Sequence, residues 1–413
     1  MGGSENATPM KMNERIETGR NDFMIGEWYY ILAVLGYMAT LAFSGMRPGV
    51  LGAGLMVLVL GELVLRKKFK ITALADYMAI AFFAYQIISV IWLLRGGFPI
   101  SVFANEFVSS VLPMVFYFVG KTAGERTDRW YKMFIYAMLI LGFVGLILYA
   151  WAPQFYCDWS YAWSHVSKAD AATVRVRMNS VVGSTCLSFL MVAGMLVGAY
   201  FFGKKEKKGL FFIVSCLLFA ILANQRSGLV AAILVLIYLN ILVFFMFDML
   251  PRKYFFCELC AIALVLIAVG IVRFDFLLKF WYRIISLPTA ISERSEQWVA
   301  AVNNMYDFWI GNGLGANGHR ALGIEDAHVI ADGGLVKLYC ENGIVGFSLW
   351  AYLMFLCLES GVKNIRKYYA ETGILVVGIL QSIGSNVLAF QICAPIFWFA
   401  AGKMMEDIKN RTE

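Results

Sequence analysis

Arginine side chains in the short polar stretches between apolar runs are the residues best suited to chemistry in this chain. The clearest case is Arg226, because 224–228 (NQRSG) is a brief polar interruption between two apolar runs. A charge at membrane depth normally faces a cavity and a partner, although a guanidinium at a membrane border can also reach lipid headgroups. Each planar guanidinium binds two oxygens, so several that converge suit a diphosphate. We predict a diphosphate clamp made of Arg226, Arg294, Arg177, Arg283 and Arg175.

Acidic residues accompany these arginines in the second half of the chain. Asp332 and Glu341 differ from the other carboxylates there, because they lie at the start and inside of an apolar run. An ionisable residue in such a run is a functional candidate by default, and a carboxylate can accept a proton from an attacking hydroxyl. His328, four residues before Asp332, is a further candidate base. We predict that Asp332, His328 and Glu341 are catalytic, with an ion pair to an arginine as the alternative role for Glu341.

Patterns that bind metals are weak in this sequence. The three histidines, His165, His319 and His328, are scattered and form no i,i+4 pair. Cys257 and Cys260 have the spacing of metal ligands, but no second pair and no histidine lies near them. Most other cysteines lie inside apolar runs, where they pack as small apolar side chains. We therefore expect no metal site, no cofactor and no disulfide framework.

The elements that must position these residues are membrane-spanning helices. Of the 413 residues, 60% are hydrophobic and only 15% are charged, a composition that would leave large apolar patches on a water-soluble domain. Apolar runs close to the length that crosses ~30 Å of hydrocarbon recur along the chain. They predict an all-α polytopic membrane protein of about twelve transmembrane helices, at 28–44, 49–65, 73–94, 103–119, 130–151, 180–202, 210–223, 229–247, 254–272, 334–358, 373–390 and 392–404.

Basic residues predict the orientation, because lysine and arginine beside spans are retained on the cytoplasmic side. The basic connections alternate along the chain and include 66–70, 121–132, 203–208, 251–253 and 363–367. This alternation predicts that both ends are cytoplasmic, with tails at 1–26 and 406–413 around a transmembrane domain at 27–405. The connections at 152–178 and 273–333 are then large loops on the opposite side, and the second contains amphipathic helical stretches.

Four motifs follow one another in the second half of the chain. The segment 175–184 (RVRMNSVVGS) leads from the first large loop into a span, and 224–228 (NQRSG) forms a short turn between spans. An Arg-x-x-x-Trp pattern at 294–298 precedes a Gly-x-Gly-x-Gly loop at 311–315, and the last motif runs over 332–346. In order and placement these motifs resemble those of the O-antigen polymerases (Wzy-type) and the related O-antigen ligases of the bacterial cell envelope.

The resemblance implies a metal-independent glycosyltransferase of GT-C-like architecture in the bacterial inner (cytoplasmic) membrane, with its active site facing the periplasm. It would transfer a growing oligosaccharide from undecaprenyl diphosphate onto the non-reducing end of a new lipid-linked repeat unit of O-antigen or a similar surface polysaccharide. Its partners would be the undecaprenyl-diphosphate-linked donor and acceptor, membrane lipid and a chain-length regulator, with no nucleic acid.

The resemblance also implies roles for the candidate residues. Arg226 and Arg294, helped by Arg177 and Arg283, would hold the lipid diphosphates. Asp332 or His328 would orient or deprotonate the acceptor hydroxyl. The glycines of 311–315 would either let backbone approach the sugar or phosphate closely or form a structural turn.

Two alternatives to a polymerase remain open in the sequence. An O-antigen ligase would pass polysaccharide to lipid A core, and in the ligases a histidine stands 11 and 14 residues before a Gly-x-x-Gly pair. Here that position is occupied by Asp332, ahead of Gly343 and Gly346, which favours the polymerase. A polysaccharide-lipid flippase or transporter would place its charged residues along a path at the bilayer midplane. The gathering of charge at one face in this sequence favours surface chemistry instead.

Overall fold

The computed structural model describes residues 24–43, 48–66, 69, 71–164, 166–247, 286–325 and 327–406, with isolated residues between 260 and 285. In this part of the chain the regular structure is helical throughout, which confirms the predicted all-α class. The α-helices are α1 Ile25–Ala42, α2 Pro48–Leu65, α3 Leu74–Ile88, α4 Val90–Arg95, α5 Ile100–Glu106, α6 Val115–Lys121, α7 Thr127–Trp151, α8 Gln154–Trp163, α9 Ala171–Val174, α10 Ser184–Gly203, α11 Lys208–Ala223, α12 Arg226–Asn240, α13 Leu287–Asn303, α14 Gly334–Lys363, α15 Ile365–Gly384 and α16 Ala394–Met404.

Among the described residues, eight helical stretches are long and apolar enough to cross a membrane. They are Ile25–Ala42, Pro48–Leu65, Leu74–Arg95, Ile100–Lys121, Gly124–Trp151, Ser184–Gly203, Arg226–Met246 and Gly334–Lys363. Each coincides with one of the apolar runs found in the sequence. A chain with this many apolar helices has the character of a polytopic membrane protein.

The other four predicted spans have different outcomes. The run at 210–223 forms α11, whose 16 residues extend about 24 Å at the rise of an α-helix. The run at 373–390 lies mainly in α15, which begins with charged residues, and the run at 392–404 lies in α16, which has 11 residues. The run at 254–272 and most of the two predicted tails lie outside the described residues, apart from isolated positions. The number of spans and their orientation therefore stay predictions.

The first large connection, at 152–178, contains α8 and α9. Trp159 of α8 is buried, and its indole N–H donates to Thr40 Oγ1 of α1 at 3.0 Å. Asp170 caps α9 by accepting a hydrogen bond from the Thr173 backbone at 2.7 Å. Hydrogen bonds from the side chain and backbone of Thr173 lower the pKa of Asp170. This connection is thus a packed structure held against the helices.

Helix α10 lies at the centre of the bundle and is buried over most of its length. It packs closely on α11, because small residues let the two backbones approach. A Cβ added to Gly194 would lie 2.7 Å from the sulfur of Cys216, and one added to Gly209 would lie 2.3 Å from the backbone nitrogen of Phe202. This packing supports the turn from α11 to α12, which carries Arg226.

Helices α6 and α16 also cross at glycines, and this crossing gives a testable prediction. A Cβ added to Gly402 would lie 1.7 Å from the carbonyl oxygen of Tyr117, so the helices would have to move apart. We expect Gly402→Ala to lower the free energy of unfolding by roughly 1–3 kcal/mol, as overpacked cores do. Gly54→Ala is the matched control, because nothing lies within 4 Å of the added Cβ. Thermal unfolding in detergent makes the comparison, and equal melting temperatures for the two variants would contradict this account.

Helix α14 is interrupted at Gly343, whose φ of +59° and ψ of −170° lie outside the helical region. The break frees carbonyl groups in the turn before it, and buried backbone groups need partners. A loop from the second large connection supplies them. The N–H of Asn312 donates to the carbonyl of Cys340, and the N–H of Gly313 donates to that of Glu341, both at 2.9 Å. The loop is therefore fastened to the broken helix.

Candidate functional site

An ion pair between Arg294 and Asp332 forms the centre of the candidate site. The Arg294 Nη2 lies 2.7 Å from the Asp332 Oδ2. One turn later on α13, the indole N–H of Trp298 donates to the backbone carbonyl of Asp332 at 2.7 Å. One helical face thus holds Asp332 by both its side chain and its backbone. The side chains of Arg294 and Asp332 keep 24% and 35% of their surface exposed, so a ligand can reach both.

The C-terminal end of α15 completes the frame around Asp332. The Arg294 Nη1 donates to the carbonyl of Gly384 at 2.9 Å. Beyond it, the Asn386 side-chain amide donates to the carbonyls of Ile330 and Ala331 at 2.9 and 3.0 Å. The segment that carries Asp332 is therefore held on one side by α13 and on the other by the end of α15. Preorganised placement of this kind is what a reacting group requires.

The turn before α12 lies beside this pair. Asn224 adopts a left-handed conformation with a φ of +48°, and α12 begins at Arg226. A Cβ built on Gly384 would lie 3.7 Å from the Arg294 Nη1 and 3.9 Å from the Ser227 Cβ, so Arg294 and Ser227 both border Gly384. The Arg226 Nε and the Ser227 Oγ are buried and have no hydrogen-bond partner among the described residues. Both atoms are therefore available to hydrogen-bond a ligand.

The segment 176–178 brings a third arginine to the same region. Its backbone runs along the end of α11, where the Met178 N–H donates to the carbonyl of Leu222 at 2.9 Å. The Arg177 Nη1 then lies 3.4 Å from the Gln225 Oε1, one residue before Arg226. Arg177 therefore contacts the turn that carries Arg226, and Ser227 of the same turn borders Gly384 together with Arg294.

The remaining predicted members of the clamp have other positions. Arg175 is exposed and donates to the carbonyls of Ala150 and Trp151, at 2.9 and 3.3 Å, so it caps the end of α7. Arg283 lies outside the described residues. His328 is half-buried, and its backbone carbonyl accepts a hydrogen bond from the Asn317 side chain at 2.7 Å. The structure thus assigns Arg175 a structural contact and places His328 on the segment that leads to Asp332.

Glu341 lies apart from the Arg294–Asp332 pair, in a buried charge network. The Lys337 ammonium, one turn earlier on α14, lies 3.5 Å from the Glu341 Oε1 and donates a short hydrogen bond to Glu106 of α5. All three side chains are at most 7% exposed. The partner of Glu341 is thus a lysine, where the sequence alternative suggested an arginine. Lys337 and Glu106 were not predicted, although the i,i+4 spacing of Lys337 and Glu341 is visible in the sequence.

The glycines of 311–315 pack against backbone. Gly311, Gly313 and Gly315 all have φ values between +74° and +92°, a region that only glycine enters freely. A Cβ on Gly311 would lie 2.5 Å from the backbone nitrogen of Gly343, and one on Gly313 would lie 2.7 Å from that of Leu93. The structure therefore gives these glycines the role of a structural turn that closes onto the break in α14.

The arrangement as a whole can bind an anion beside a carboxylate. Guanidiniums bind phosphate oxygens strongly, and Asp332 could accept a proton from a hydroxyl placed between them. In the described part of the chain, no group of three or more histidine, cysteine, aspartate or glutamate side chains is arranged to hold a metal ion. Compared with models of known protein families and with curated protein sequences, the chain shows no match to either.

Proposed function

We propose that this protein is a glycosyltransferase that polymerises undecaprenyl-diphosphate-linked oligosaccharide repeat units of O-antigen or a similar surface polysaccharide. The observation that carries the proposal is the ion pair of Arg294 with Asp332, close to the turn that carries Arg226. The arginines suit the two negative charges of a lipid diphosphate, and the carboxylate suits an acceptor hydroxyl. The order of the four sequence motifs is a second, weaker support. The enzyme would act at the periplasmic face of the bacterial inner membrane.

In the proposed reaction, Arg226 and Arg294 bind the diphosphate of the donor, with Arg177 adjacent. The acceptor hydroxyl attacks the anomeric carbon of the donor sugar, and the bond from that carbon to the diphosphate oxygen breaks. The hydroxyl proton passes to Asp332, and the electron pair leaves with the diphosphate, whose growing charge the guanidiniums stabilise. The products are a lipid-linked chain longer by the transferred oligosaccharide and free lipid diphosphate. The chemistry needs no metal ion.

The ion pair also suggests how Asp332 would be held until the donor binds. Without substrate, Arg294 bonds to the carboxylate that would act as the base. A diphosphate competes for the same guanidinium and carries more charge. When Arg294 turns to the donor, an oxygen of Asp332 is released to face the acceptor hydroxyl. Binding of the donor would thereby prepare the base.

Transport of a polysaccharide lipid is the second candidate, because one feature favours it. Helix α14 is broken at Gly343, close to the buried Lys337 and Glu341. Transporters often build their sites at broken helices near the bilayer midplane. Here, however, Lys337 lies only three residues from the start of α14, and the exposed charges lie beyond that start. The position of the charges therefore favours surface chemistry over a transport path.

The test is an assay of the purified protein with synthetic undecaprenyl-diphosphate-linked repeat units, with products separated on a gel. A ladder of products differing by one repeat unit is expected for a polymerase. Transfer to lipid A core without a ladder would replace the proposal with a ligase. If a folded protein gives neither product but moves the lipid-linked unit across vesicles, transport is the better account.

A further inference from the structure

A cavity of about 70 Å³ lies between α3, α5, α14, α15 and α16. Its wall includes Gly334, two residues after Asp332, and Asn386, whose amide holds the carbonyl of Ala331. The cavity therefore adjoins the segment that carries the proposed base. Phe82, Trp350 and Trp398 form aromatic parts of its wall.

Three buried side-chain oxygens in the wall of this cavity can accept hydrogen bonds from a ligand. The Gln86 Oε1 and the Asn386 Oδ1 have no hydrogen-bond partner among the described residues, and the Glu341 Oε1 has the Lys337 ammonium at 3.5 Å. All three side chains are at most 3% exposed. The amide orientations are determined by their other ends, because the Gln86 Nε2 donates to Asn342 and the Asn386 Nδ2 donates to two carbonyls. All three atoms are acceptors, so the wall suits a ligand that donates hydrogen bonds.

The charges of the wall narrow the choice of ligand. Among the described residues, its ionisable groups are Glu106, Lys337 and Glu341, which carry a formal charge of −1 when both carboxyls are ionised. No arginine of the described part of the chain lines the cavity. The net negative charge of the wall therefore disfavours a phosphate, which would bind instead at the arginines of the candidate site. A neutral ligand rich in hydroxyl groups fits both the acceptors and the charge.

We propose that this cavity binds the hydroxyl-bearing edge of the acceptor's terminal sugar, and that Glu341, Gln86 and Asn386 accept its hydrogen bonds. The inference rests on the proposed function and identifies the place where the polymerase would select its acceptor. The donor's diphosphate lies on the arginines and the acceptor's terminal sugar lies over the acceptor-lined wall, so the two substrates occupy separate parts of the site. Aromatic side chains provide apolar surface for the sugar's C–H groups. The wall selects neutral terminal sugars over acidic ones.

The experiment measures a single transfer, with donor and acceptor made chemically distinct. The donor has its acceptor hydroxyl methylated. In the acceptor, a methylene group replaces the oxygen between the anomeric carbon and the diphosphate, so that the diphosphate analogue cannot leave. Glu341→Gln is expected to raise the KM for the acceptor at least tenfold, while kcat and the KM for the donor stay nearly unchanged, because binding alone is weakened. Glu359→Gln, on the exposed side of the same helix, is the matched control and should change nothing. If Glu341→Gln does not fold, Gln86→Met provides the same test.

A second readout separates a binding role from a structural one. The terminal sugar of the acceptor is oxidised at its primary alcohol to a carboxylate, and kcat/KM is compared with that of the neutral acceptor. Wild type should prefer the neutral acceptor, and Glu341→Gln should reduce that preference. If wild type is active and Glu341→Gln changes neither the KM for the acceptor nor the preference for the neutral acceptor, the acceptor site alone is overturned. Absence of any transfer by folded wild type would overturn the proposed function, and this site with it.

Discussion

Replacing Arg294 with alanine is expected to reduce the rate of polymer formation by about 10²- to 10³-fold, the usual effect of removing one positioned donor from a developing charge. Arg294 bonds both to Asp332 and to the carbonyl of Gly384, so its guanidinium is fixed before any substrate binds. Its loss removes a ligand of the diphosphate and the partner of Asp332 together. The rate of ladder formation with lipid-linked repeat units measures the effect.

The control for this prediction is Arg320→Ala. Arg320 is an arginine of the same large connection and is exposed to solvent. Its replacement removes the same charge, so it reports the general effect of lowering the positive potential of this face. We expect Arg320→Ala to retain most of the activity. Equal losses in the two variants would show that net charge, and no specific clamp, attracts the substrate.

Replacing Asp332 with asparagine is expected to lower the rate of transfer by roughly 10²- to 10⁴-fold, the range for a general base. Asparagine keeps the size of the side chain and an oxygen that Arg294 can still contact, but it cannot take up a proton at neutral pH. The variant should therefore bind the donor normally and fail in the chemical step. Single-turnover rates at saturating donor measure this step.

The matching variant is His328→Ala, because the sequence offered two candidate bases. His328 lies four residues earlier, and its backbone is held by Asn317. Asp332 is the residue that contacts the arginine site, so the effect of His328→Ala should be much smaller. If His328→Ala abolished transfer and Asp332→Asn did not, the base would be His328, and the ligase alternative would gain support.

Composition and periodicity were sufficient to predict the helical class and the positions of most of the apolar helices. Each of the eight long apolar helices coincides with a run read from the sequence, because a helix in lipid must be apolar along its whole length. The exact number of spans does not follow in the same way. Helices such as α11 and α16 are short, and whether a short apolar helix crosses the membrane depends on its neighbours.

For the candidate site, the sequence showed which residue types could act, but it did not show which residues contact one another. Arginines in polar interruptions of apolar runs were recognisable, since a charge near lipid needs a reason. Yet Arg175 and Arg177, two residues apart, face different partners. Arg175 caps α7, and Arg177 reaches Gln225. No local pattern distinguishes them, because the choice depends on where α7 ends and where α11 ends in space.

The sequence by itself determined which residues are costly to place near lipid, and hence that Arg226, Arg294 and Asp332 deserve a functional explanation. Only the tertiary structure decided that Arg294 bonds Asp332, and that Glu341 belongs to a separate cavity with Lys337 and Glu106. The physical reason is that hydrophobicity acts on each helix locally. The pairing of charges instead depends on helix crossings, on the break at Gly343 and on loops that meet across long stretches of the chain.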